Sequence, residues 1–149
     1  MIVVVLAGVS RWQTRRHLRG EVPAFTLPAL DGPPVALREL TGGPTLVVFF
    51  APWCSVCKAT AQNVRWAAGL AGGARVVSIA SNYGDAAAVR AYTQEHALPS
   101  PVLLDDGSAA TAFHVSAFPT FFFLDARGRV DGSTVGYTTT LGLLARLWL

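Results

Sequence analysis

Cys54 and Cys57, the only two cysteines of the chain, stand three residues apart in APWCSVCK. That spacing suits a pair that alternates between dithiol and disulfide. Two cysteines are too few to staple a scaffold, and a zinc site would need two further ligands. His17, His96 and His114 offer no H-x-x-x-H spacing to supply them, so no metal is expected. No cofactor is expected beyond the disulfide that Cys54 and Cys57 would form. The same two sulfurs could also hold Cu(I), which prefers soft thiolate ligands.

The chemistry of such a pair depends on where it sits. Residues 45–50 (TLVVFF) form a continuous β-branched and aromatic run, as expected of a strand buried on both faces. Helix formers follow over residues 59–70 and stop at Gly72 and Gly73. The cysteines thus fall where a buried strand hands over to a helix. The unpaired N–H groups and dipole of a helix N-terminus stabilise a thiolate there. Cys54 is the candidate nucleophile, and Cys57, one turn further in on the same side, the candidate resolving thiol. Trp53 reads equally as core filling or as a surface beside the nucleophile for a partner. Lys58 reads as a solvated helix residue with a modest electrostatic benefit to the thiolate as the alternative. Phe118, Pro119 and Thr120 mark a second site, because a proline ahead of the apolar run TFFFLD is tolerated only at the first residue of a strand. A cis bond there would free backbone groups for an extended peptide; a trans proline that starts the strand is the plainer reading.

Residues 21–34 are proline-rich with a DG turn signal, hence extended, and residues 35–40 suit a short strand and a helical turn. Residues 74–80 and 101–104 read as further strands. Asp85 caps a helix that ends before Pro99, and a DDG turn at Asp105 leads into a brief helix through Ala112. Residues 120–125 and 130–135 form a hairpin across Ala126, Arg127 and Gly128, and Thr138 to Thr140 offer caps for a final helix over 141–149. Strands alternating with helices predict an α/β architecture with a central mixed sheet flanked by helices. No internal repeat appears, and 149 residues suit one domain.

Apolar residue types make up 52% of the chain and charged types 14%, which excludes a disordered or charge-rich module. The net charge of +3 comes from Arg11, Arg15, Arg16 and Arg19; beyond residue 19, eight basic residues face nine acidic ones. A nucleic-acid partner is therefore not expected. Residues 1–9 (MIVVVLAGV) are too short to cross a bilayer as a helix and lack the basic start and cleavage site of a secretory signal. They read as the tail of an anchor helix, as an interfacial anchor with Trp12 and the arginines at headgroup level, or as the first element of the fold. Arginines just after an apolar segment tend to stay cytoplasmic, which points away from export.

With APWCSVCK and AFPTFFFLDARGRV in view, the chain resembles the thioredoxin superfamily, and within it the membrane-anchored TlpA/ResA/DsbE-like thiol-disulfide oxidoreductases of bacteria. Its nearest likeness there is to the suppressor-of-copper-sensitivity D type. The resemblance runs from about Phe25 to the C-terminus, including FTLPALDG and GYTTTLGLLARLW. It implies a thioredoxin-like fold with a TlpA-type N-terminal extension and an inserted helix and strand. The 65 residues from Cys54 to Pro119 leave room for that insert. It makes Cys54 the attacking thiol, Cys57 the resolving thiol, Trp53 the flanking aromatic and Pro119 a facing cis-proline. It implies residues 1–20 as a truncated anchor remnant and basic linker ahead of a thioredoxin-like domain over 21–149. That domain would sit in the periplasm, on the outer face of the cytoplasmic membrane, against the charge hint above. The partners implied are protein thiols and disulfides and a membrane or periplasmic electron-relay protein. The chain departs from the pattern at Val48, where plain thioredoxin has a buried aspartate, and at Thr60, where ResA-like proteins often have a glutamate. Ser55-Val56 is neither Gly-Pro nor Pro-His, and Phe118 is bulkier than usual. The activity expected is reduction of disulfides in exported proteins, with disulfide formation and Cu(I) handling as the alternatives. Nothing resembles a threonine-primed single peroxidatic cysteine.

Overall fold

The computed structural model describes Trp12 and residues 14–148; the apolar run 1–9 lies outside the described residues. Among those described, no helix is long and apolar enough to cross a membrane. The chain enters through a small antiparallel hairpin, β1 (Thr26–Leu27) with β2 (Val35–Ala36), joined across Asp31 and Gly32. A single 3-10 turn over Leu37–Glu39 then leads into the main sheet.

That sheet has five strands in the order β5-β4-β3-β6-β7: β3 (Thr45–Phe50), β4 (Arg75–Ala80), β5 (Val102–Leu104), β6 (Thr120–Leu124) and β7 (Val130–Val135). Strands β3, β4 and β5 run parallel, while β6 and β7 are antiparallel additions, so the sheet is mixed as the sequence predicts. Central β3 is buried at all six positions, which is why its sequence is a continuous apolar run and not an alternating one. Its pleat sends Leu46 and Val48 to one face, and Val47 and Phe49 to the other.

On the first face α1 (Ser55–Leu70) and α4 (Thr140–Trp148) cover the sheet with Val64, Ala67, Leu143 and Leu147. On the second, Phe49, Phe113 and Phe122 form an aromatic triangle with ring centroids 5.0–5.7 Å apart. Each of these fully buried rings contributes roughly 1.5–3 kcal/mol through the area it removes from water. Helix α2 (Ala86–His96) starts at Asp85, whose carboxylate accepts from the Ala88 amide at 2.9 Å, as its sequence signal predicts. The short α3 (Ser108–Ala112) follows β5. The β6–β7 turn requires its glycine: Gly128 has φ +78°, and a Cβ there would stand 2.9 Å from the Leu40 carbonyl oxygen.

Residues 14–20, part of the stretch read from sequence as anchor remnant and linker, pack on the domain. The Leu18 amide donates to the Phe113 carbonyl at 3.2 Å, and Gly20 bridges to Val130. His17 is buried, with its ring 5.5 Å from that of Phe122 and Nδ1 2.8 Å from the Ser133 hydroxyl.

Candidate active site

The two cysteines lie where β3 gives way to α1. The helix begins at Ser55, four residues earlier than the helix formers at 59 suggest, because Cys54 is its N-cap. Cys54 keeps an extended backbone, and its Sγ accepts a hydrogen bond from the Cys57 amide at 3.2 Å. One of the unpaired amides of the first turn is thereby spent on sulfur. The same arrangement directs the positive end of the helix dipole at Cys54.

Cys54 is 7% exposed and Cys57 2%. The nucleophile is therefore more covered than an open surface thiol, because the Cys54 thiol donates to the Phe118 carbonyl at 3.4 Å. That contact brings the two sequence-predicted sites together across 64 residues. The Phe118–Pro119 peptide bond is cis. Trp53 is not core filling: it is 61% exposed, its Nε1 donates to the Asn82 carbonyl at 2.8 Å, and its ring meets Phe118 edge-on at 6.1 Å. Thr120 is fully buried and its hydroxyl donates to the Ala117 carbonyl at 2.7 Å. Its side chain braces the loop and presents no surface to a partner. Lys58 is exposed.

Cys57 sits deeper, and burial pushes its thiol well up, with the neighbouring Cys54 adding to the effect. Behind it lies a small space of about 10 Å³, lined among others by Val48, Thr60, Ser78 and Tyr92. A space of this size holds about one water. The described residues lining it include no carboxylate, and Val48 and Thr60 are among them. The Thr60 hydroxyl is turned back on its own helix, donating to the Val56 and Cys57 carbonyls at 3.1 Å each. Tyr92 is the neighbour that sequence reasoning missed. It is buried, stacks on Phe50 at 5.0 Å, and its hydroxyl is pushed up by burial and by the facing Cys57 and Cys54. Its only sequence signal is its place three residues after Val89 on the buried face of α2. Asn82 was also missed, since it acts through its backbone carbonyl alone.

His17 and His114 line a separate cavity, and His96 packs on Tyr92 at 4.5 Å. Among the described residues no group of three or more His, Cys, Asp or Glu is placed to hold a metal ion.

The sequence profile of the AhpC/TSA family matches residues 18–133. A thioredoxin-like protein of Haemophilus influenzae is 29% identical over 147 residues, covering 97% of this chain and 86% of that one. The thiol-disulfide oxidoreductase ResA of Bacillus thuringiensis is 25% identical, covering 80% of this chain and 70% of ResA. Among solved structures, a secreted Mycobacterium tuberculosis disulfide oxidoreductase homologous to E. coli DsbE superposes with a TM-score of 0.74. It is 27% identical and covers 83% of this chain and 94% of its own. The mixed five-stranded sheet, its flanking helices and the N-terminal hairpin together form a thioredoxin-like fold.

Proposed function

This chain belongs to the AhpC/TSA family and is a thioredoxin-like thiol-disulfide oxidoreductase with a Cys54–Cys57 pair; we propose that it reduces disulfides in exported proteins. The observation that carries the reading is the setting of Cys54 Sγ, held between the Cys57 amide and the Phe118 carbonyl. In the proposed cycle the Cys54 thiolate attacks one sulfur of the substrate disulfide. The substrate S–S bond breaks, a mixed disulfide forms on Cys54, and the released substrate sulfur takes up a proton. Cys57 then attacks Cys54 Sγ, giving its proton to the second departing sulfur, which compensates for the missing carboxylate. The substrate gains two electrons and two protons, and the pair ends as a disulfide. A dithiol relay protein at the membrane returns the two electrons.

Trp53 and Phe118 offer the apolar face for the partner, and Pro119 with Thr120 fixes the loop that carries the Phe118 carbonyl. The reducing direction is supported by Ser55-Val56, which places no cation between the cysteines to stabilise the dithiol form further. Within the family we place the chain in the TlpA/ResA/DsbE-like branch, nearest the suppressor-of-copper-sensitivity D type, with a truncated anchor remnant ahead of residue 14 and the domain, which residues 14–20 join by packing, outside the cytoplasmic membrane. The secreted mycobacterial relative supports that location. Equilibration with glutathione tests the direction. Potentials in this superfamily span about −270 to −120 mV; a value towards the lower limit is expected, and one at the upper limit would make the protein an oxidant. Stoichiometric Cu(I) binding without insulin reduction would replace the redox reading altogether.

A further inference from the structure

A roomy cavity lies away from the cysteines, between the packed N-terminal segment and the loop that ends at Pro119. It measures about 680 Å³, and its wall includes Arg15, Arg16, His17, His114, Ser116 and Ala117. No acidic side chain is among its described lining residues, and neither arginine has an ion-pair partner among the described residues. Its described lining is therefore basic, with two guanidinium groups and no carboxylate. His17 is 6% exposed, and its Nε2 is buried with no hydrogen-bond partner although Nδ1 is engaged by Ser133. Whichever of the two groups donates in the Ser133 contact, Nε2 is a buried ring nitrogen left without a partner on a residue that lines the cavity. A buried polar nitrogen without a partner costs stability, so this wall of the cavity is polar beneath its surface.

The cavity adjoins the redox site through the chain itself. Ser116 and Ala117 immediately precede Phe118, whose carbonyl meets Cys54 Sγ. An extended polypeptide docked along this loop would leave the cysteines and run past the two arginines. Its volume is that of a small-ligand pocket, enough for more than one side chain. We propose that this cavity is a subsite for an acidic segment of the disulfide-bearing partner, taking an aspartate or glutamate that flanks the cysteine under attack. The guanidinium groups of Arg15 and Arg16 suit a carboxylate, since each can donate two parallel hydrogen bonds. The proposal rests on the redox reading above and adds to it a substrate class.

Two disulfide-linked peptides, alike except for Glu or Gln at those flanking positions, provide the test. The unaltered protein is expected to show a kcat/KM about three- to tenfold higher for the acidic peptide, chiefly through KM, falling towards parity in high salt. Arg15→Gln with Arg16→Gln, and each substitution singly, should bring the acidic-to-neutral ratio towards one. Arg15→Glu with Arg16→Glu should invert it in favour of a lysine-bearing peptide. Equal rates on both peptides with the unaltered protein would overturn the subsite while leaving the redox reading intact. Failure to reduce either peptide would overturn both. Arginine-dependent binding to phosphatidylglycerol vesicles without any peptide preference would make the cavity a lipid-headgroup site and overturn the proposal.

Discussion

Raising the pH of the reduced protein destabilises it through Cys57. In the unfolded chain this thiol ionises near pH 8.5. In the folded protein burial, and Cys54 beside it, keep it protonated well beyond that point. Above about pH 8.5 the folded state therefore holds one more proton than the unfolded state, and stability falls with pH at about 1.4 kcal/mol per unit. The contribution is intact below the unfolded value and drains away as pH climbs towards the folded one. Between pH 8.5 and 10 the loss amounts to about 2 kcal/mol, a substantial share of the 5–15 kcal/mol typical of a domain. Tyr92 adds a loss of the same sign above about pH 10, since its hydroxyl is also pushed up. Urea denaturation of the reduced protein at pH 7, 8, 9 and 10, alongside Cys57→Ser, isolates the thiol. The two stability curves should part above pH 8.5 and differ in their change by about 2 kcal/mol at pH 10. Curves that stay parallel across the range would refute the reasoning.

Two further substitutions probe the frame of the site. Asp105 is buried, and its carboxylate accepts from the Ser81 hydroxyl at 2.7 Å and from the Ala109 and Ala110 amides at 2.9 and 3.0 Å; Asp105→Ala strands all three donors and should cost about 3 kcal/mol by equilibrium denaturation. Gly128→Ala forces a side chain into left-handed backbone 2.9 Å from the Leu40 carbonyl oxygen. It should cost about 1–3 kcal/mol, and a change below about 0.5 kcal/mol would show that the turn relaxes.

What the sequence reveals follows the range of the forces involved. Strand β3 is legible because burial on both faces demands apolar residues at every position, and α2 because Asp85 is a standard cap. The start of α1 is harder to see. The strand-to-helix junction places the pair at a helix N-terminus, but cysteine is not a usual capping residue, so the sequence does not single out Cys54 as the N-cap with the helix starting at Ser55. Asp105 reads locally as part of a turn, yet its work is to join the end of β4 to α3 through Ser81, 24 residues away. His17 lies in a basic run that suggests a linker, and its burial depends on Phe122 and Ser133, more than a hundred residues on. The CxxC pair and Pro119 were visible as separate motifs. Their union through the Phe118 carbonyl, and the presence of Tyr92 behind Cys57, are tertiary facts with no local pattern.

The central claim is that Cys54 attacks and Cys57 releases. Incubating Cys57→Ser with a disulfide substrate and mapping any adduct by mass spectrometry tests it most directly. The account predicts a long-lived mixed disulfide on Cys54 that a small dithiol discharges. Normal multiple turnover by Cys57→Ser, with no adduct on Cys54, would contradict it.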